Sequence, residues 1–236
     1  MDELGSYSVE SFISFQPESY FRLFERQFET FWPLHLLLFA IGVAAVAVAW
    51  SAKIRFVSTL LAASLIAVAI SFQFRLYDEL TPVGRLFGWA FLLEALLILI
   101  WGFISRSDFH SAPSISHWTG LSLAGIGVAL YPFLTLAGDR TWKGAEYFGL
   151  APDPTICAVL GIVLIGARPI WLLMLMPIPL LWAAVSAATL RALDALALHL
   201  LVVIAIALMA ALIKTIYLRR EYSGSRTSSE VEDSTN

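Results

Sequence analysis

One carboxylate in the middle of a long apolar segment is the strongest chemical signal in the sequence. Glu94 stands in the run Phe-Leu-Leu-Glu-Ala-Leu-Leu, at residues 91–97. A charged side chain inside hydrocarbon costs several kcal/mol unless it is protonated, paired with another group or in contact with water. Glu94 is therefore predicted to face the interior of a helix bundle, either as a functional acid or as a neutral group hydrogen-bonded to a neighbouring helix.

A second group of polar residues lies on the two sides of the longest loop between apolar segments. Tyr131 and Pro132 come near the end of one segment, and Asp153 and Thr155 begin the next within the run Pro-Asp-Pro-Thr. Because proline cannot donate a backbone hydrogen bond, the first segment is expected to bend near Tyr131. A helix start leaves backbone N–H groups unpaired, and Asp153 is expected to cap them.

The two groups together match a pattern known from transporters, in which helices are broken and their ends, inside the membrane, hold solutes or ions. The sequence therefore predicts one ligand-binding site that opens to the outer side and is built from Glu94, Tyr131, Asp153 and Thr155. The alternative is that Asp153 is only a solvated N-cap at the start of a short helix.

Catalytic and metal-binding patterns are missing from the sequence. It contains no HExxH, no GxSxG, no phosphate-binding loop and no pair of aspartates at metal-ligand spacing. His35 and His199 lie near the outer ends of the first and last apolar segments, where packed histidines are favoured over a metal, haem or proton-relay role. The single cysteine, Cys157, excludes an intramolecular disulfide. We therefore expect no enzymatic activity, no metal and no cofactor.

The composition is that of a membrane protein. Of the 236 residues, 59% are hydrophobic and only 14% are charged, whereas about 25% of the residues in a soluble domain are charged. The apolar residues come in runs of membrane-spanning length, and the lysines and arginines form no basic stripe of the kind that nucleic acid needs. The expected partners are therefore the lipid bilayer and a small solute or ion, with no nucleic acid.

These apolar runs divide the chain into three parts. Residues 1–30 are interpreted as a polar lead and an amphipathic interfacial helix, residues 31–218 as a transmembrane helical bundle, and residues 219–236 as a disordered polar tail. An alternative for the amphipathic helix is the polar outer end of a long first helix. The predicted fold class is all-α, a polytopic transmembrane helix bundle with about seven spans: 31–50, 56–74, 83–105, 115–137, 154–167, 170–190 and 192–218.

The fifth of these spans is shorter than the others. Residues 154–167 would form about 21 Å of helix, which is less than the ~30 Å of a hydrocarbon core. A bundle of six spans, in which these residues form a re-entrant segment, is therefore the alternative. The basic loop with Lys53 and Arg55, and Arg219-Arg220 after the last span, favour an outer N-terminus and a cytoplasmic C-terminus.

The last two spans carry features that bear on their shape. Pro177 and Pro179 lie inside the sixth span, which is therefore expected to be kinked or locally unwound. Lys214 stands near the end of the seventh span. A long lysine side chain in that place is expected to extend to the membrane surface.

Several short motifs resemble those of a bacterial family of polytopic membrane proteins that is known only as a domain of unknown function. They are Trp32-Pro33-Leu34, Tyr131-Pro132, Phe148-Gly149, Pro152, Pro154-Thr155, Gly161, Arg168-Pro169 and Ile178-Pro179-Leu180-Leu181-Trp182. The resemblance covers about residues 9–215 and implies a location in the bacterial inner membrane. In that family the fifth span begins Pro-Cys-Pro-Thr, and the aspartate at position 153 argues against a thiol-based role here.

The broken helices and the buried acid together favour one functional class. We expect an integral membrane protein that acts as a small-solute or ion permease, since some members of the similar family also bear that label. The alternative is a non-catalytic membrane sensor or assembly partner, and a membrane enzyme is the least favoured of the three. A permease would place Glu94 beside a polar path through the bundle, whereas a partner protein would seal it in.

Overall fold

The computed structural model describes residues 16–49, 53–105, 114–136, 141–195 and 197–233, and the regular secondary structure in these ranges is entirely helical. This confirms the predicted all-α bundle. All but the last residue of the polar lead (residues 1–16), and the last three residues of the predicted tail, lie outside the described residues. The helices are α1 (Pro17–Phe31), α2 (Leu34–Ala49), α3 (Ile54–Leu80), α4 (Val83–Ile104), α5 (Ile115–Leu136), α6 (Pro152–Gly166), α7 (Pro169–Leu175), α8 (Pro177–Ala192) and α9 (Leu198–Asp233).

Four helices among the described residues are long and apolar enough to cross a membrane: α3, α4, α5 and the part of α9 from Leu198 to Leu218. Two further crossings are formed if each bent pair is one span, because α1 with α2 is bent by 96° and α7 with α8 by 42°. Helix α6 is apolar but shorter, with 15 residues. Length and composition therefore give four to six crossing helices and one short helix, where the sequence predicts about seven spans.

Helix α1 covers one end of the bundle. Its 96° angle to α2 separates it from the first span. Its apolar face is buried against protein, with Phe24 stacked on Phe72 at 5.3 Å between ring centroids. The side-chain amide of Gln27 donates to the carbonyl oxygen of Leu150 at 2.9 Å and to Ser71 Oγ at 3.2 Å. The helix thus packs on α3 and on the loop that precedes α6.

The prolines change the local helix geometry in two ways. Before Pro132, residues Ile126–Leu130 form a π-helical segment, and α5 continues through it as one helix to Leu136. A π-helical turn is one of the adjustments that accommodate a proline in a membrane helix. The second way is a break: the chain bends by 42° between α7 and α8, where Pro177 begins the second helix. The predicted kink in the sixth span is therefore confirmed.

Helix α6 lies at the centre of the fold, and each of its fifteen residues is buried. It begins at Pro152, two residues before the predicted start, and α2, α3, α5, α8 and α9 pack around it. At about 1.5 Å per residue it is roughly 22 Å long. A helix that is apolar on all sides is expected in such a place, because it has no face that must meet water.

Glycines bring α5 and α6 into backbone contact. A Cβ atom on Gly161 would overlap the carbonyl oxygen of Gly120, and a Cβ atom on Gly127 would overlap the carbonyl oxygen of Pro154. Small residues at a crossing allow helix backbones to approach closely, which is the main source of packing between membrane helices. The start of α6 is therefore held at a fixed depth against the second half of α5.

Two boundaries near the C-terminus differ from the sequence prediction. The last helix begins at Leu198 and not at residue 192, because α8 continues to Ala192 and a turn with Asp194 at φ 54° follows it. The backbone of α9 then runs on to Asp233, through residues for which the sequence predicts a disordered tail. A third difference lies earlier in the chain. Helix α3 continues to Leu80, whereas the second span was predicted to end at residue 74 and to be followed by a loop.

Candidate functional site

The start of α6 is buried, and few of its backbone N–H groups need a hydrogen-bond partner. A helix start leaves four N–H groups without partners in the helix. Two of them are absent here, since Pro152 and Pro154 have no N–H. A third belongs to Ala151, which donates to the carbonyl oxygen of Tyr147 at 2.9 Å. The Pro-Asp-Pro sequence is thus suited to a helix that begins in an apolar interior.

Thr155 orders the turn that leads into α6. Its hydroxyl donates to the carbonyl oxygen of Ala151 at 2.7 Å and accepts from the backbone N–H of Gly149 at 2.8 Å. Gly149 has φ 77°, a conformation that other residues adopt only with strain. The predicted site residue Thr155 is therefore engaged with the backbone of its own turn, in a region that is completely buried.

Asp153 is the centre of a polar cluster in the core. Its side chain is buried, with 2% exposed. Its Oδ1 accepts a hydrogen bond from Trp182 Nε1 at 2.6 Å, and its Oδ2 accepts from Ser186 Oγ at 2.7 Å and from the Tyr131 hydroxyl at 3.4 Å. The sequence predicts this carboxylate as a cap for its own helix, whereas the structure joins it to side chains of α5 and α8.

Tyr131 extends the cluster to a fourth helix. Its hydroxyl lies 2.9 Å from Nε2 of His199, near the start of α9, and the two rings meet edge to face. Tyr131 is buried with 1% exposed, and His199 is partly exposed. The polar chain Asp153–Tyr131–His199 therefore leads from the centre of the protein toward its surface.

Trp182 and Ser186 were not predicted as site residues, although the sequence carries a signal for them. They stand four residues apart on α8, so their side chains lie on the same face of the helix. An indole N–H and a hydroxyl on the face of an apolar helix both need acceptors when they are buried. Asp153 is an acceptor for both of them.

Aromatic rings enclose the indole of Trp182. The rings of Tyr77, Phe87 and Phe91 meet it edge to face, with centroid distances of 5.7, 4.8 and 5.7 Å. Tyr77 also forms a side-chain hydrogen bond with Thr189 and lies within electrostatic reach of Asp153. This enclosure keeps water from the Trp182–Asp153 hydrogen bond, which strengthens it.

Both tyrosines near Asp153 stand at the end of a π-helical segment. One segment, Ala69–Tyr77, ends with Tyr77, and the other, Ile126–Leu130, immediately precedes Tyr131. A wider helical turn changes the direction of the side chains that follow it, and such turns often occur at functional sites. The two segments thus direct a phenol from α3 and another from α5 toward the start of α6.

Glu94 is buried as predicted, with 0% exposed. It lies on the face of α4 that also carries Phe91, whose ring contacts Trp182. Neither oxygen of its carboxyl group has a hydrogen-bond partner among the described residues. The structure therefore brings Tyr131 and Asp153 together, while Glu94 is a separate buried acid without a described hydrogen bond to them.

The predicted opening of the site toward the outer side is not observed. Tyr131, Asp153, Thr155 and Glu94 are each 2% exposed or less. Phe148, in the loop before α6, is also buried, and its ring fills the space beside Gly42 of α2. The described part of the site is therefore enclosed by protein in this conformation.

Removal of the Glu94 carboxyl is expected to stabilise the fold. A buried polar group without partners loses its hydration on folding and gains no hydrogen bond in return, which costs about 1–3 kcal/mol. Glu94→Met should therefore raise the free energy of unfolding, and Glu94→Gln should not. Denaturant titration of the purified protein in detergent measures both. A loss of stability in Glu94→Met would mean that the carboxyl has a partner in the folded protein.

Lys214 lies at the other end of α6. Its ammonium group donates to the carbonyl oxygens of Leu164 and Ile165, at 2.7 and 3.0 Å, and the side chain is 1% exposed. The prediction that it extends to the membrane surface is wrong, because the last turn of α6 offers unpaired carbonyl oxygens at this depth. An acid in the first turn and an ammonium group at the last turn both suit the helix dipole.

Lys214→Met is expected to destabilise the protein by about 1–3 kcal/mol, since it leaves buried carbonyl oxygens without their donor. Lys143→Met provides the control. Lys143 is a lysine with an exposed side chain, 3.5 Å from Glu29, and such a surface pair contributes about 0–1 kcal/mol. Unfolding free energies of the two variants in the same detergent should differ clearly. Equal values would show that Lys214 does not support the end of α6.

The histidines and the cysteine that the structure describes lie in separate surroundings. Among the described residues, no three His, Cys, Asp or Glu side chains come together in a way that could hold a metal ion. His35 packs among the rings of Phe28, Trp32 and Tyr147. The two histidines that the sequence places at similar depth thus have different neighbours, and His199 alone contacts the Asp153 cluster through Tyr131.

Comparison with known proteins identifies the family and gives no function. No curated protein and no solved structure matches the chain. Residues 17–222 match a family of unknown function, DUF6064. The matched range includes every residue of the Asp153 cluster and, apart from the end of α9 after residue 222, the helices that surround α6. The protein, whose apolar helices fit those of a membrane protein in length and composition, belongs to the DUF6064 family.

Proposed function

We propose that the protein is a small-solute or ion permease whose binding site is the Asp153 carboxylate at the start of α6. The observation that carries this proposal is a carboxylate enclosed in the core of an apolar bundle, at the end of a helix that begins inside the protein. Ionisable side chains inside membrane bundles are costly, and they commonly mark ion and solute paths. Helix ends at such a depth are a common feature of transporter sites.

The arrangement of helices around Asp153 suits a site that opens and closes. Its hydrogen-bond donors come from α5 and α8, and His199 of α9 is one step further away. A shift of any one of these helices relative to α6 would remove a donor and leave the carboxylate free for a ligand. In this proposal, the enclosed conformation is the closed state. The bend between α7 and α8 is the hinge about which α8 moves when the site opens.

Thiol labelling tests the proposal without knowledge of the substrate. Ser186→Cys, in a Cys157→Ala background, places a thiol beside Asp153 with a change of one atom. A permease must open this position to water, so a membrane-impermeant maleimide should label it in intact vesicles, more slowly than an exposed site. Thr30→Cys, on the exposed face of α1, gives the rate for an open surface.

Ser64→Cys is the matched buried control. Ser64 is also completely buried, and its hydroxyl donates to the carbonyl oxygen of Leu60 in its own helix. Labelling of Ser186→Cys but not Ser64→Cys would support a permease. If neither cysteine reacts before the protein is denatured, the site never opens and the permease proposal is wrong.

The orientation in the bacterial inner membrane is part of the same proposal. Arg26 of α1 pairs with Glu79 at 2.8 Å, and Lys143 lies 3.5 Å from Glu29, so α1, the end of α3 and the loop before α6 share one surface. We expect this surface to be the outer one and the C-terminus to be cytoplasmic. A reporter enzyme that is active only in the cytoplasm, fused to the C-terminus, should be active. A stable but inactive fusion would reverse the orientation.

A non-catalytic sensor or assembly partner is the second candidate function. It is favoured by the complete enclosure of α6, since all fifteen residues are buried. In that case the Asp153 cluster would fix the packing of four helices and would not bind a ligand. The labelling experiment distinguishes the two functions, because a purely structural core would not expose position 186 to water. Neither candidate assigns an enzymatic reaction to the protein.

A further inference from the structure

We infer that the ion bound at this site is a proton, which passes between the surface and Asp153 through His199 and Tyr131. The inference rests on the proposed permease function and names the ion that such a permease would couple to.

The three groups form a path from a partly exposed side chain to two buried ones. His199 is partly exposed, at the start of α9. Its Nε2 lies 2.9 Å from the hydroxyl of Tyr131, which is 1% exposed, and that hydroxyl lies 3.4 Å from Oδ2 of Asp153. Chains of acids, histidines and hydroxyl groups are the usual proton paths inside membrane proteins.

The transfer moves one proton and leaves the central group unchanged. When His199 is protonated, its Nε2–H bond breaks and the proton passes to the Tyr131 oxygen. At the same time, the original O–H bond of Tyr131 breaks and its proton forms an O–H bond with Oδ2 of Asp153. Neutral histidine, intact tyrosine and protonated aspartic acid result. Rotation of the phenolic hydroxyl then restores the path for the next proton.

The surroundings of the carboxylate suit a proton better than a metal cation. Hard cations are bound by several oxygen lone pairs at once. Oδ1 accepts a hydrogen bond from the indole N–H of Trp182 at 2.6 Å, and this N–H group is a donor only. A cation at this oxygen would face the hydrogen of the indole. Ser186 and Tyr131 also direct hydroxyl groups to Oδ2, and either hydroxyl can turn to accept a hydrogen bond from a protonated acid.

Other titratable groups face the path and must be separated from Asp153 in an experiment. Glu146 is the carboxyl group among them, and it is buried with 3% exposed. It interacts electrostatically with Tyr131 and with Cys157, which is one turn from Asp153. Among the described residues, the titratable groups that interact with Asp153 or Tyr131 are Tyr20, Tyr77, Glu146, Cys157 and His199.

Infrared difference spectroscopy tests the inference on the full chain in phosphatidylethanolamine–phosphatidylglycerol bilayers. Acidification should produce the C=O band of a protonated carboxylic acid. We expect this band to be lost in Asp153→Asn and kept in Glu94→Gln and Glu146→Gln. Trp182→Phe, which removes one donor to the same carboxyl group, should shift it. After a rapid drop in pH, Tyr131→Phe and His199→Gln should slow the appearance of the band without changing its final size.

Each opposite result overturns a stated part of the inference. A wild-type band that survives in Asp153→Asn and does not shift in Trp182→Phe, or no band at all, would show that Asp153 does not take up a proton. Unchanged kinetics in Tyr131→Phe and His199→Gln would show that the path is wrong. A change in the Asp153 carboxylate band on addition of NaCl at constant pH would assign the site to a metal cation. The labelling of Ser186→Cys is independent of these spectra. It therefore shows whether the permease proposal is wrong, or only the inference that the bound ion is a proton.

Discussion

Asp153→Ala is expected to lower the free energy of unfolding by at least about 1–3 kcal/mol, because it leaves the indole N–H of Trp182 buried without an acceptor. That N–H lies 2.6 Å from the carboxylate oxygen, and the rings of Tyr77, Phe87 and Phe91 exclude water from it. Ser186 can turn its hydroxyl to a carbonyl oxygen of its own helix, so the loss of its hydrogen bond to Asp153 should contribute less to the change in free energy. Denaturant titration in detergent measures the total effect.

Two comparisons identify the cause of this loss. Asp153→Asn keeps a carbonyl oxygen for Trp182 and should therefore be milder than alanine. The double variant Asp153→Ala with Trp182→Phe removes both partners, and it should lose much less than the sum of the two single variants. Glu79→Ala is the surface control, since the side chains of Glu79 and its partner Arg26 are 54% and 53% exposed and such a pair is worth about 0–1 kcal/mol.

A gain in stability would contradict the expectation and would still be informative. A buried carboxylate loses its hydration, and three neutral donors do not always offset that cost. If Asp153→Ala were more stable than the wild type, the carboxylate of Asp153 would lower the free energy of unfolding of the native protein. Such a cost is usually found at functional positions. Additive losses in the double-variant cycle would instead show that Trp182 and Asp153 do not interact.

Local patterns in the sequence were sufficient to predict where the helices lie in the chain, but not all of the residues at which they begin and end. Apolar runs with polar borders predict α3, α4 and α5 because burial in lipid depends on composition over about 20 residues. The start of α6 was misplaced by two residues. The proline at position 152 lacks an N–H and so tolerates the first position of a helix, as does the one at position 154, and the sequence pattern does not choose between them.

The site was predicted only in part, because its contacts join distant parts of the chain. Tyr131 and Asp153 were found, since a proline and an unusual acid mark their positions. Trp182 and Ser186 are 29 and 33 residues from Asp153, and their role depends on how α8 is rotated against α6. The rotation of a packed helix is set by its neighbours, and no local rule gives it.

Lys214 illustrates the same limit at the opposite end of α6. A lysine near the end of an apolar helix is usually expected to reach the membrane surface. Here α6 ends beside it, and its carbonyl oxygens accept the ammonium group at 2.7 and 3.0 Å. The sequence separates Lys214 from Leu164 by 50 residues, so the competition between carbonyl oxygens and surface water is not visible without the packing.

The second large effect is expected at the crossing of α5 and α6. Gly161→Ala should destabilise the protein strongly, because the added methyl group would overlap the carbonyl oxygen of Gly120 and the backbone nitrogen of Ala124. Both are backbone atoms, so no side chain can move aside and the helices must separate. Overpacking of a tight core costs about 1–3 kcal/mol and sometimes more. Separation here would also move the start of α6 away from Tyr131.

Gly125→Ala is the matched control in the same pair of helices. A Cβ atom at Gly125 would have no heavy atom within 4 Å, and alanine favours a helix over glycine by about 1 kcal/mol. This variant should therefore be as stable as the wild type or slightly more stable. Unfolding free energies, and the fraction of protein that elutes as one species in gel filtration, measure both variants. If Gly161→Ala behaved like Gly125→Ala, α5 and α6 would not be in backbone contact, and the depth at which Asp153 is held would have to be explained by other helices.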